Sequence, residues 1–340
     1  MRGINLIFNC VLILALIFAG CSEKDKATES ESPSPVVPIC EHSVAGRIDV
    51  HTPTSEVADW DTPVRLNDSV NTDCPQDAIE ISRDGTQLYV MYLEDVLENI
   101  TPEQMLSQPD NTYRLTRYGD ETEFGNRQFI DLGKGVDQSL DGELSFAPDG
   151  QKVYFHSLRI TNLGYQINTP TDDYLDIYVA DFIDGVPGAG VNLGEPVNSI
   201  YPDGEHAIHP DGITLYFASD RSPNYGNTDI WKSTFDGSNW SQPKNLGSTI
   251  NSFANDYQPA FTVDGDTMYF ASGRNLAIGM AIYRSYDTGK GWNTPELVIS
   301  GLVGEPSLTA DGQLLYFVHV LSDNDGHYDT DVWVSKRITH

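Results

Sequence analysis

The chain has 340 residues, with 20 Lys and Arg against 50 Asp and Glu, for a formal charge of −30. That sign excludes nucleic acid, whose phosphates demand Lys and Arg, and it excludes an electrostatic hold on an anionic bilayer. It leaves cations, basic partners and neutral glycans.

Arg2, the mostly apolar run from Ile4 to Ala19 and then Gly20-Cys21 predict a secretory signal over residues 1–20. The run is shorter than the roughly 20 residues a membrane span needs. Phe18-Ala19-Gly20-Cys21 resembles a bacterial lipobox. The resemblance implies that Cys21 becomes the lipidated first residue, so that contact with membrane runs through the lipid anchor only. Ser22, where an Asp would retain a lipoprotein at the inner membrane, implies an outer-membrane lipoprotein on the periplasmic face or the cell surface. Residues 21–40 are polar, charged and Pro-rich and read as a disordered tether. Cys10 leaves with the signal, and Cys40 and Cys74 remain as a candidate disulfide of an exported chain.

From residue 41 to 340 the pattern is all-β. Trp60-Asp61-Thr62-Pro63-Val64-Arg65-Leu66 carries a Trp-x-x-Pro strand signature. An Asp-Gly hairpin turn followed by an aromatic strand then occurs five times, at Asp84, Asp149, Asp211, Asp264 and Asp311. Third strands follow in most copies, as in Asp176-Ile177-Tyr178, Asp229-Ile230-Trp231, Ala281-Ile282-Tyr283 and Asp331-Val332-Trp333. Fourth strands carry Trp240-Ser241-Gln242-Pro243 and Trp292-Asn293-Thr294-Pro295, with a weaker equivalent at Gly190–Gly194. The only helix expected in this region is a short one at Thr101–Met105, where a capping Thr precedes Pro.

Four short strands per repeat, at a period near fifty residues, predict a five-bladed β-propeller of four-stranded antiparallel blades. The last repeat ends after its third strand, so the Trp60 strand is expected to complete the C-terminal blade and close the ring. A sixth blade in residues 41–58 would lack an Asp-Gly hairpin. The repeats, including Ala218-Ser219-Asp220-Arg221 and Ala271-Ser272-Gly273-Arg274, resemble the TolB-like β-propeller family. The likeness covers about residues 60–337 and implies fold rather than activity. Ser285-Tyr286-Asp287-Thr288-Gly289-Lys290-Gly291-Trp292 resembles the Asp-box turn of sialidases and other propellers, and Ser233–Trp240 is a shifted version. In those families the box is a structural turn far from the catalytic face.

Aligning the first strands on their Asp-Gly steps places Ala78, Glu143, Glu205, Gln258 and Glu305 six residues before each Asp. Gln76, Asp141, Asp203, Asp256 and Val303 stand eight before it. Period-two geometry would put both sets on one side of the strands, facing the channel. Glu143, Glu205 and Glu305 are therefore the acidic set if the chain is an enzyme, acting as acid and base on a sugar. The other reading is that a wet channel tolerates polar groups. Asp141, Asp203, His206, Asp256, Tyr257 and Gln258 join Arg159, Arg221 and Arg274 as candidates for ligand binding. The three Arg could clamp an anion, or pair within their blades with groups such as Asp220 or Asp229. His206 and His209, three apart on a strand, do not make a metal pair. Asp323–Asp331 invites a calcium reading but lacks the bidentate Glu of an EF-hand loop, so no metal or other cofactor is assigned. The insertions at 93–111 and 158–175 are expected on the channel-mouth face, near Tyr165, Tyr225, Tyr257 and Tyr328. No nucleophile elbow, phosphate loop or zinc motif appears. The expected function is a non-enzymatic binding or scaffold module for a protein or glycan of the cell envelope. The alternative is a glycan-active hydrolase or lyase.

Overall fold

The computed structural model describes residues 49, 51–93, 112–133, 139–166, 175–322 and 328–338. They form five antiparallel sheets, one per repeat. Blade 1 holds Gln76–Ile81, Gln87–Tyr92, Thr112–Arg117 and Phe124–Phe129. Blade 2 holds Ser139–Phe146, Lys152–Arg159, Leu175–Ile183 and Val191–Asn192. Blade 3 holds Asp203–Ile208, Thr214–Ser219, Asp229–Thr234 and Lys244–Asn245. Blade 4 holds Asp256–Phe261, Thr267–Ser272, Ala281–Tyr286 and Glu296–Ser300. Blade 5 takes Val303–Leu308, Leu314–Ser322 and Tyr328–Lys336 from the C-terminal end and Val64–Arg65 from the N-terminal end. The helix expected at Thr101–Met105 lies outside the described residues.

Each second strand is sandwiched between neighbouring blades, so both of its faces are dry and its sequence is almost continuously apolar. Leu88, Val153, Leu215, Met268 and Leu315 are fully buried, as are Val90, Phe155, Phe217, Phe270 and Phe317 two positions on. Between them stands a Tyr in every blade, and an aromatic side chain from the next blade packs on each. Trp240 meets Tyr154 at 6.4 Å, Trp292 meets Tyr216 at 6.4 Å, Trp60 meets Tyr269 at 6.2 Å and Phe124 meets Tyr316 at 5.9 Å, all edge-to-face. Phe146 completes the set on Tyr89 at 4.9 Å. Such contacts are worth about 0.5–1.5 kcal/mol each beyond the area they bury.

The ring closes as the sequence predicts. Val64 lies opposite Val334 and Arg65 opposite Trp333, while Trp60 bridges Arg337. Arg65 also holds Asp331 through two hydrogen bonds of 2.8 and 3.1 Å. Residues before Trp60 do not start a sixth blade. Thr54–Ser55 instead pairs with Ser300 and Ile299 and covers the outer edge of blade 4. Asp59 then holds Arg284 of that blade at 2.5 Å. Cys74 is buried and disulfide-bonded, and Cys40 lies outside the described residues.

Trp60 therefore carries the closure, being 2 % exposed and packed edge-to-face on blade 4 while its strand pairs with blade 5. Trp60→Ala should destabilise the propeller by about 3–5 kcal/mol, read as a lowered urea midpoint.

Candidate functional site

The five ring residues share a feature that alternation does not predict. Ala78, Glu143, Glu205, Gln258 and Glu305 all take positive φ, between 46° and 55°. Each first strand carries a register shift there, spanning Asp77/Glu80, Gly142/Ser145, Gly204/Ala207, Tyr257/Ala260 and Gly304/Ser307. This is a β-bulge, which adds a residue, breaks the ladder and re-aims side chains. The expectation that the ring residues and the residues two before them share one side of the strand is thus corrected, because the bulge interrupts the period of two.

A bulge leaves amides that the ladder no longer serves, and buried amides need partners. Side chains of the adjoining blade supply them. Gln258 Oε1 accepts from the Glu305 amide at 2.8 Å, and Glu305 Oε2 accepts from the Ile79 amide at 3.1 Å. Ser145 Oγ accepts from the Ile208 amide and Ser307 Oγ from the Ile81 amide, both at 3.0 Å. Glycine precedes the ring residue in three blades because the neighbour leaves no room. A Cβ on Gly304 would lie 2.7 Å from Gln258 Oε1, and one on Gly204 3.2 Å from His156 Nδ1.

Asp141, Asp203 and Asp256 turn to the second strands of their own blades. They pair with Arg159 at 2.9 Å, with Arg221, and with Arg274 at 2.8 Å. The partners named from sequence, Asp220 and Asp229, do not take this role. Asp229 accepts the Tyr225 amide and Asn245 Nδ2, both at 2.7 Å. A Ser completes each pair, receiving Arg Nε at 2.6 Å (Ser157), 3.1 Å (Ser219) and 2.8 Å (Ser272). Arg221 also donates to the Pro196 and Val197 carbonyls and Arg274 to that of Ile250, which fixes the loops entering blades 3 and 4. These guanidiniums are internal staples. An anion clamp would have to break them.

What faces the channel is acidic and buried. Burial, then the charges of Glu205, Asp77 and Glu80, hold the Glu143 carboxyl well above its ordinary range. Burial and Asp77, with which it shares a hydrogen bond, do the same for Glu305. Glu80, which receives Ser307 Oγ at 2.6 Å, is pushed up to about 7 by burial. Tyr257 is also raised by burial, with Glu205 and Glu305 beside it. His156 accepts the Glu205 amide at 3.4 Å, and burial lowers it to about 4. His206 is lowered to about 3 by burial and the nearby His156. His209 turns away at the hairpin, edge-on to Phe261 at 4.9 Å.

Beside Glu143, alone of the five ring residues, lies a cavity of about 80 Å³ that runs toward the Asp-Gly hairpins. Glu143 and His206 are the only candidate residues that line it; Glu80, Ser145 and Ser307 are additions. Tyr225 is exposed on the loop face, whereas Tyr165 packs against the cluster of Met91 and Leu93. The side chain of Tyr328 and most of the Asp323–Asp331 segment lie outside the described residues, and Asp331 pairs with Arg65. Among the described residues no three metal-ligating side chains are placed to hold an ion. At 285–292, Asp287 Oδ1 caps the Gly289 amide at 2.8 Å and Trp292 packs on the preceding blade, a stabilising arrangement.

Fold and site together define a five-bladed propeller with an acidic, internally bonded channel. No family model and no curated protein matches the sequence. Similar solved structures include TolB from Acinetobacter baumannii, at 14 % identity over 79 % of this chain, TM-score 0.42. The chain spans 56 % of that TolB's length. An α-L-arabinofuranosidase from Lactobacillus brevis matches at 12 % identity over 81 % of this chain and 94 % of its own, TM-score 0.43. A protein of unknown function from Dyadobacter fermentans matches at 14 % over 87 % and 100 %, TM-score 0.47. At these identities the likeness concerns the fold alone.

The raised carboxyls make stability depend on pH. Glu80 keeps its proton in the fold up to about 7 but releases it near the ordinary 4.5 when unfolded, so stability falls as pH rises through that window. The two lowered His act oppositely, removing stability as pH falls below their ordinary 6.5. Glu80→Gln should gain stability relative to the parent chain as pH rises from about 4.5 to about 7, followed by urea titration across that range.

Proposed function

We propose that the chain is a non-enzymatic binding propeller, anchored through a lipid on Cys21 and presented by the residue 21–40 tether at the bacterial outer membrane. Its partner is a protein or a glycan of the envelope, and the acidic surface turns nucleic acid away. One observation supports this reading above the rest. Most of the polar groups around the channel, Glu305 of the acidic set among them, already hold the protein's own backbone and arginines. Asp141, Asp203 and Asp256 are paired with Arg, and Gln258 and Glu305 cap amides of adjoining blades. A retaining or inverting glycosidase needs two carboxyls flanking a space wide enough for a sugar, about 5–10 Å apart. The cavity beside Glu143 holds only a few water-sized groups.

The glycan-active alternative draws on the raised Glu143 and Glu305 carboxyls, since a general acid must stay protonated at neutral pH. An activity screen on envelope and plant polysaccharides separates the two. The expected result is no turnover. Turnover that disappears in Glu143→Gln, Glu205→Gln or Glu305→Gln would establish the enzyme instead. For the anchor, Cys21→Ser should move the protein from the membrane fraction to the soluble exported fraction. Retention of Cys21→Ser in the membrane would refute lipidation there.

A further inference from the structure

The channel cavity has an unbalanced polar lining. Glu80 and Glu143 face it from blades 1 and 2, Ser145 and Ser307 beside them, and His206 from blade 3. The two hydroxyls each accept a backbone amide, and Ser307 gives its proton to Glu80. Neither ring nitrogen of His206 makes a hydrogen bond of normal geometry, although the residue is only 2 % exposed; the Tyr154 backbone acts on the ring. Among the described residues, no basic side chain lies within ion-pair distance of Glu80 or Glu143. The wall between these groups is apolar, built from Ile79, Leu144, Pro259, Pro306 and Leu308.

Such a lining offers more acceptors than donors once Glu80 and Glu143 are ionised. One nitrogen of a neutral imidazole and both oxygens of each carboxylate accept, so the component that completes it is a compact cation rich in N–H, whose binding expels the carboxyl protons. We propose that this cavity binds a primary ammonium group, entering from the Asp-Gly hairpin side. The apolar wall takes the attached methylenes, as cores do for lysine stems. The cavity of about 80 Å³ suits a group of that size. A coordinated metal fits less well, because no three ligating side chains converge among the described residues. The charge of −30 draws cations toward the channel. Among the described residues that line the cavity, Arg83, at its hairpin end, is the one competing cation and acts on Glu80. This assignment rests on the binding-module reading above and names its ligand chemistry. The ammonium belongs either to a free small amine or to a lysine side chain of a partner.

Calorimetric titration of the full chain at low salt and about pH 8, above the point where Glu80 releases its proton, tests it. The probes are methylammonium, Nα-acetyl-lysine methyl ester, tetramethylammonium and calcium. Saturable binding of at least one primary amine is expected, with none for tetramethylammonium, which has no N–H. Glu143→Gln and Glu80→Gln should each weaken it about tenfold or more, and Arg83→Ala should strengthen it. Equal affinity for both amines assigns a small free amine; binding of the lysine ester alone assigns a partner's side chain. No binding of either amine, affinity unchanged in both Gln variants, or calcium bound in preference would overturn the proposal. The polysaccharide screen is independent of that result, so loss of the ammonium site would leave the binding-module reading standing. Urea unfolding of each variant shows whether it is folded; should Glu143→Gln fail to fold, Glu80→Gln and Arg83→Ala still decide.

Discussion

One left-handed residue, repeated at the same place in five innermost strands, governs the interior of this protein. A bulge there detaches amides from the ladder in a region with no room for bulk water. Those amides must find partners, and the only groups within reach belong to the adjoining blade. Gln258 therefore serves blade 5, Glu305 serves blade 1 and Ser145 serves blade 3. The polar channel is a consequence of the backbone, and its hydrogen bonds couple blade 2 to blade 3, blade 4 to blade 5 and blade 5 to blade 1, while aromatic contacts join every pair.

The arrangement works only in a closed ring. Blade 5 reaches blade 1 through Glu305 and Ser307, so an open circle would leave the Ile79 and Ile81 amides buried without partners. Closure is secured from outside by the strand at Val64–Arg65 and by Trp60 on Tyr269. The inner closure lies where blade 5 meets blade 1, whereas the outer one is made within blade 5 and against blade 4. Acidity then accumulates where the bonds converge, because a carboxylate with two oxygens can cap an amide and still face the channel.

Blade number, strand order and ring closure were legible from the Asp-Gly turns, the Tyr of each second strand and the displaced Trp60. These signals are local and repeated, and they survive any tertiary context. The interior was less legible. Strict alternation was assumed through residues 141–146 and their equivalents, and a non-glycine residue at positive φ leaves no mark of its own. Its trace lay one residue earlier, in Gly142, Gly204 and Gly304, which the close approach of the neighbouring blade requires. The staples had a trace as well. Asp141 and Arg159, Asp203 and Arg221, and Asp256 and Arg274 are each 18 residues apart, a constancy that names the partners better than proximity along the chain. Thr54–Ser55 could not be read, since two residues of edge strand carry no period at all. Glu80 and Asp77 were missed because the alignment singled out only two positions of each strand.

That short strand on blade 4 has a mechanical meaning. A load pulling on the chain upstream of residue 54 first meets two residue pairs, Thr54 with Ser300 and Ser55 with Ile299. Behind them stand Asp59 on Arg284, and then the Trp60 strand in blade 5. The weakest attachment is thus the outermost. It can peel away under tension, freeing a few residues, before any force reaches the seam that keeps the five sheets in a circle.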